Sequence, residues 1–170
     1  MAKVIMSWSK CKIEVGEAVD NGASMPTSLS SVGTIKDKST TLEPSDGDTL
    51  EMKETGGKTV AKETSEGGLT LNTRIIEPSD ETYTLFGLGS AATAEGEYNV
   101  ATHIVKKNFA FKLTSKNIGS KGLKAPFTSV SAKPGYSEED GQYIDLAFDI
   151  LQGDADYWYQ RFTVAESDWK

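Results

Sequence analysis

The side chains able to do chemistry are few in this 170-residue sequence. His103 is its only histidine and Cys11 its only cysteine, so a Ser-His-Asp triad or a histidine-ligated metal would have to pass through His103, and a thiol nucleophile would have to be Cys11. His103 stands beside lysines in a strand-like run, and Cys11 alternates with Ile13 and Val15 as a small buried side chain does. Asp145 and Asp149 fall on one strand face but roughly 13 Å apart along it, too far for the carboxylate pair of a glycosidase, and read as a solvent-facing or subunit-facing pair. Gly87-Leu88-Gly89 follows a helix where a nucleotide loop would open one, and Asp46-Gly47-Asp48 lacks the downstream acid of a calcium loop. No catalytic residue, metal or cofactor is expected, and the chain reads as a non-enzyme. One set suits binding: Tyr157, Trp158 and Tyr159, with Trp169 nearby in sequence, would give a β-sandwich module an aromatic platform for carbohydrate. Against this, Trp158, Phe162 and Val164 alternate onto what should be an inward face.

Composition narrows the classes. At 37% hydrophobic and 25% charged residues the chain is ordinary for a globular protein, and its length suits one domain spanning 1–170. A formal charge of −7 argues against a standing binder of duplex DNA or anionic membrane. A single cysteine excludes an intramolecular disulfide. No apolar run approaches the ~20 residues of a transmembrane helix, and Met-Ala-Lys-Val-Ile-Met-Ser-Trp is too short and polar for a signal peptide, so synthesis in a cytoplasm is expected.

The elements that must position any site are strands and turns. Residues 10–15, 69–75, 103–115 and 142–151 alternate apolar and polar, the pattern of half-buried strands; a last strand is expected over 157–164, and short ones over 32–36 and 126–132. Residues 16–27 and 117–124 read as loops, and 43–48 as a turn. The one helix is expected over 78–86, with Ser79 as its cap and Tyr83, Leu85 and Phe86 on its apolar side. Between these lies a hairpin, 49–54 and 58–63, turning at Gly56-Gly57. Leu50 and Met52 point one way and Glu51 and Lys53 the other, while Val60 stands against Lys58, Thr59 and Lys62. So little apolar surface cannot hold a two-stranded ribbon to a small domain, so the hairpin needs a partner. The expected class is mainly β: a sandwich or small barrel of about eight strands, one short flanking helix and a long hairpin.

Residues 32–43 (Val-Gly-Thr-Ile-Lys-Asp-Lys-Ser-Thr-Thr-Leu-Glu), then Gly47-Asp48-Thr49-Leu50-Glu51 and the Gly56-Gly57 hairpin, resemble the front half of tail tube proteins of long-tailed bacteriophages. The helix at 78–86, Phe109-Ala110-Phe111-Lys112-Leu113, residues 126–132 and Tyr143-Ile144-Asp145-Leu146-Ala147-Phe148 resemble the back half, so the likeness covers 29–164 and leaves 1–28 and a short tail, 165–170, outside it. The resemblance implies a subunit of a phage or prophage tail tube, or of a related injection device such as the type VI secretion tube. Six copies would form a ring, rings would stack, and their hairpins would join edge to edge into a conduit. Leu50, Glu51, Met52, Lys53, Glu54, Lys58, Val60, Lys62 and Glu63 would then face the lumen or a neighbouring subunit. The implied partners are copies of itself, tape-measure, tail-tip and tail-terminator proteins, and DNA in transit without specific binding; the implied place is the virion tail, after synthesis in a bacterial host.

Overall fold

In the computed structural model, which describes residues 5–8, 10–101 and 107–170, the alternating runs fold into a mainly β molecule. Along the chain come β1 (Cys11–Glu17), β2 (Ser30–Ser31), β3 (Thr41–Pro44), β4 (Thr49–Lys53), β5 (Thr59–Thr64), β6 (Leu69–Ile76), α1 (Asp80–Leu85), β7 (Gly89–Ala91), β8 (Tyr98–Val100), β9 (Asn108–Ser115), β10 (Lys121–Ser137), β11 (Gly141–Ile150) and β12 (Gln160–Thr163). Short 3-10 turns lie at Asp20–Gly22 and Glu166–Trp169. His103, Val105 and Lys106, expected at the start of the strand that is now β9, lie outside the described residues.

Eight strands make one antiparallel sheet in the order β2-β1-β9-β10-β11-β6-β3, with β12 also on β10. The 17-residue β10 is its spine: β9 lies along one side, while β12 and β11 lie end to end along the other. Register against β9 shifts between Ala125 and Thr128, a bulge that bends the strand. The loop expected at 117–124 holds only for 117–120, and the short strand expected to end before Pro134 is longer, since β10 starts at Lys121 and runs through both prolines. Pro126 sits in the bulge, and Pro134 lies beyond Ser129, the last residue paired with β9 among the described residues; a missing N–H is tolerated in a bulge and where it breaks no interior ladder.

The sheet closes on itself through residues 30–36. Ser30 and Ser31 pair with Val15 and Glu14, and Val32 N–H donates to the Ile13 carbonyl (3.1 Å). Past Gly33 the same segment changes partner: Ile76 N–H donates to Thr34 O (2.9 Å), Ile35 bridges Ile75, and Lys36 N–H donates to Arg74 O (2.9 Å). Where the pattern predicted one short strand over 32–36, the structure has a connector joining β1 to β6 and making a barrel of the sheet, which removes edges that would otherwise be exposed.

Inside stand Ile13, Val15, Leu71, Ile75, Ile144, Leu146 and the ring group Phe86, Phe109, Phe111 and Phe148, all buried. Phe86 lies 5.6 Å from Phe109 and 6.5 Å from Phe148 between ring centres, so the end of α1 is tied into the core. The helix itself starts two residues later than the pattern predicted. Ser79 is its cap, accepting from Thr82 N–H (3.3 Å), and Asp80 and Glu81 sit where the helix dipole favours acids.

The outer face differs from one side to the other. Over β1 and β9 it is covered: Pro26 and Leu29 crowd Gly16, and Trp169 donates from Nε1 to Ser115 O (2.6 Å). Ala110 and Thr114, outward by alternation, are therefore fully buried. Over β10, β11 and β6 it is open and polar, with Ser131, Ala147 and Asn72 in one row.

Candidate assembly interface

The hairpin is the distal part of a longer ribbon. β3 pairs with β6 from Thr41↔Asn72 to Pro44↔Leu69, and β4 pairs with β5 in the same register from Thr49↔Thr64 to Met52↔Ala61. Between them Ser45 N–H donates to Gly68 O and Ser65 N–H to Asp48 O, both 2.8 Å. Residues 43–48, read from sequence as a turn, thus belong to a ribbon of roughly 40 Å. Pro44 ends its barrel-seated part on an edge strand, where the missing N–H breaks no interior ladder. At the crossing, a Cβ on Gly47 would collide with the Ser65 carbonyl and one on Gly67 with the Ser45 carbonyl, so both positions require glycine. At the tip, Gly56 and Gly57 take φ of 101° and 86°, and Gly57 N–H closes the turn on Glu54 O (3.0 Å).

Everything beyond the crossing is exposed. Leu50 opposes Glu63 and Met52 opposes Ala61, so these four share a face; Glu51 opposes Lys62 on the other. That second face is stitched by charge, with Glu51 3.4 Å from Lys53 and 3.7 Å from Lys62. Val60 is the extra residue of a bulge between Met52 and Lys53, and Glu54 and Lys58 flank the turn, joined through Glu54 N–H to Lys58 O (3.0 Å). Leu50 is 75% exposed, Met52 66% and Val60 53%, so most of the apolar surface these side chains could bury stays in water. Because register is unbroken, the side that carries Leu42 and Leu71 in the barrel carries Leu50 and Met52 on the overhang. The core stripe runs on past the end of its own core.

Of the other candidates, Tyr83 and Phe86 are buried in the main core and Leu85 packs half-buried against it. Burial, with Asp80 and Glu77 adding to it, raises the Tyr83 hydroxyl above its ordinary range. Tyr157, Trp158 and Tyr159 lie in the bend before β12, not on the strand expected over 157–164, because Asp154 N–H is held by Asn21 O (3.0 Å) and the chain rejoins β10 only at Gln160. Trp158 packs on the core with Nε1 donating to Gln152 Oε1 (3.4 Å), Tyr157 is half-buried and Tyr159 is 36% exposed. Cys11 is half-buried, its thiol 3.6 Å from Thr40 Oγ1.

Sequence reasoning missed an ionic cluster outside the barrel. Arg74 holds Asp145 bidentately (2.6 and 3.0 Å), reaches Asp140 with a third nitrogen (2.8 Å) and stacks 4.0 Å above Tyr143. Lys36 also binds Asp140 (2.8 Å). Hydrogen bonds from Lys36 and then Arg74 hold the Asp140 carboxyl below the usual carboxylate range, and bonding to Asp145 and then Asp140 raises Arg74 above its ordinary value. The cluster fastens the closing connector to the β10–β11 turn. Only the register Asp145↔Arg74 brings its members together, so no local motif announces it. Asp149 instead accepts from Thr70 Oγ1 (2.7 Å).

Among the described residues no three of His, Cys, Asp and Glu stand together as a metal site, and no helix is long and apolar enough to cross a membrane. Compared with known proteins, the chain matches no family model and no curated protein.

Proposed function

We propose that the chain is a structural subunit that assembles with copies of itself into the stacked rings of a phage or prophage tail tube. The observation that carries this is the overhanging ribbon: a hydrogen-bonded element with two free edges and an apolar face, Leu50 and Met52, that its own barrel leaves uncovered. Burying such a side chain yields about 1.5–3 kcal/mol, and each free edge offers unpaired backbone groups to another strand. Ribbons of neighbouring copies pair edge to edge, with the face of Glu51, Lys53 and Lys62 toward the channel and the apolar face against protein. Six copies would carry roughly −42, six times the −7 of one chain, a field that disfavours standing adhesion of DNA phosphate to the assembly, while the channel face itself, with Glu51 against Lys53 and Lys62, is mixed in sign. In this reading tape-measure, tail-tip and tail-terminator proteins bound the tube, the subunit is made in a bacterial host, and no catalytic step is needed.

Light scattering on a sizing column, followed by negative-stain microscopy from dilute to concentrated protein, tests the reading. Sixfold rings or hollow tubes are the expected outcome, and Leu50→Asp with Met52→Asp abolishes them while leaving the barrel folded. Tubes that persist with both substitutions would remove the ribbon from the mechanism, and a monomer at every concentration would count against spontaneous assembly.

A further inference from the structure

A second exposed apolar patch lies on the barrel. Ile5, Met6, Trp8 and Ile118 are 39%, 60%, 71% and 55% exposed, and Asn117 Nδ2 ties the strand-free segment 5–8 to the loop after β9 by donating to Met6 O (2.8 Å). Lys116 N–H donates to Lys10 O (2.9 Å), so two lysines flank this patch, and Lys121 stands at the far end of the same loop. Residues 5–10 and 116–121 contain these three lysines and no acid. Among the described residues none of the three is ion-paired, and the C-terminal acids beside the loop are taken, Glu166 by Lys170 (3.5 Å) and Asp168 by Lys112 (2.6 Å).

The ribbon has the opposite character. Residues 46–66 hold six acids against three lysines, and on the face of Leu50 and Met52 the charge within the strands is Glu63, with Asp46 and Asp48 at its base. Lys62 is on the other face, beside Glu51.

We infer that the apolar face of the ribbon of one copy seats on the patch of Ile5, Met6, Trp8 and Ile118 of the next, with Glu63 and the basal aspartates meeting Lys10, Lys116 and Lys121. The inference rests on the reading of the ribbon as an assembly element and adds the surface that receives it. Because donor and receiver are different surfaces, the contact is head-to-tail: it repeats from copy to copy and closes a ring when the rotation between copies allows. Charge complementarity sets the register and excludes two ribbons meeting face to face, which would oppose acid to acid.

Mixing two variants tests this. Leu50→Asp with Met52→Asp leaves the receiver intact; Trp8→Asp with Ile118→Asp leaves the ribbon intact. Each alone is expected to stay monomeric where the wild type associates, while a 1:1 mixture forms a species of twice the chain's mass and nothing larger, since one good contact remains. Raising the salt concentration lowers the yield of that species. If the receiver variant assembles as the wild type does, the ribbon seats elsewhere: the inference falls and self-assembly stands. If neither the wild type nor the mixture associates at any concentration, both fall. All four residues are exposed, so thermal midpoints within a few degrees of the wild type verify folding, and Trp8→Ser with Ile118→Ser replaces the receiver variant if the aspartates do not fold.

Discussion

Asp140 shows how one carboxylate couples the rim of the barrel to pH. Its carboxyl is only 7% exposed and receives both Lys36 and Arg74, which lowers its affinity for protons relative to an unfolded chain. Asp168 is held low in the same direction by Lys112 and by the Ala165 N–H. A group whose pKa falls on folding contributes its stability in full above the unfolded value, near 3.9 for aspartate, and loses it as pH drops through the folded value. Thermal midpoints followed by circular dichroism are therefore expected to stay level with respect to these groups from pH 7 to about 4.5 and to fall below about 4. Asp140→Asn lowers the midpoint at pH 7 and flattens the acid limb; an acid limb unchanged by the substitution would exclude Asp140. Thr114 makes the opposite point, since its Oγ1 is buried with no hydrogen-bond partner among the described residues. Thr114→Val keeps the shape, removes an unpaired hydroxyl and is expected to stabilise by about 1 kcal/mol in chemical denaturation, with any loss refuting the assignment.

Elements here divide into those the core holds and those it does not. α1 has six residues, too few to be stable alone, and persists because Tyr83 and Phe86 are buried and Ser79 caps its first turn. Ser79→Ala is expected to cost about 1 kcal/mol of global stability, whereas the same probe on the ribbon would cost nothing. The ribbon is held instead by its register and by the glycine crossing at its base. Gly47→Ala forces the two strands apart where Ser65 O passes, so the overhang loses its fixed direction. The expected result is assembly reduced at least tenfold with a midpoint unchanged within a few degrees, read by light scattering and calorimetry. A large fall in the midpoint would mean that the crossing supports the barrel as well.

At the scale of the whole molecule, closure is the decisive event. One connector, residues 30–36, pairs with β1 and then β6, and the cluster of Lys36, Arg74 and Asp140 fastens it. Closure pairs both flanks of the connector, while among the described residues β4 and β5 beyond the crossing pair only with each other, so in the proposed reading the ribbon is the element offered for assembly. Deleting residues 49–64 and joining the ends with a short turn is expected to give a monomer with a barrel as stable as the original. Rings formed by that deletion would assign assembly to another surface.

The amino-acid sequence by itself determined what rests on local periodicity. Alternation at 69–75 and 142–151 places Leu71, Ile75, Ile144, Leu146 and Phe148 inward because a strand turns each successive side chain to the opposite face, and Gly56-Gly57 announces the ribbon tip because only glycine takes such φ values cheaply. The isolation of Leu50 and Met52 on a polar hairpin was legible for the same reason. Tertiary structure alone decided what depends on contacts distant in sequence. β10 runs through two prolines, Pro126 in a bulge and Pro134 past its last described pair with β9, and Ala110 is buried because a loop from beyond β1 lies over its face. Arg74 meets Asp145 across 71 residues, and residues 5–8 meet the loop at 117. Each is set by strand register and by how the sheet closes, and a pairing of that kind leaves no mark in any short window of the chain.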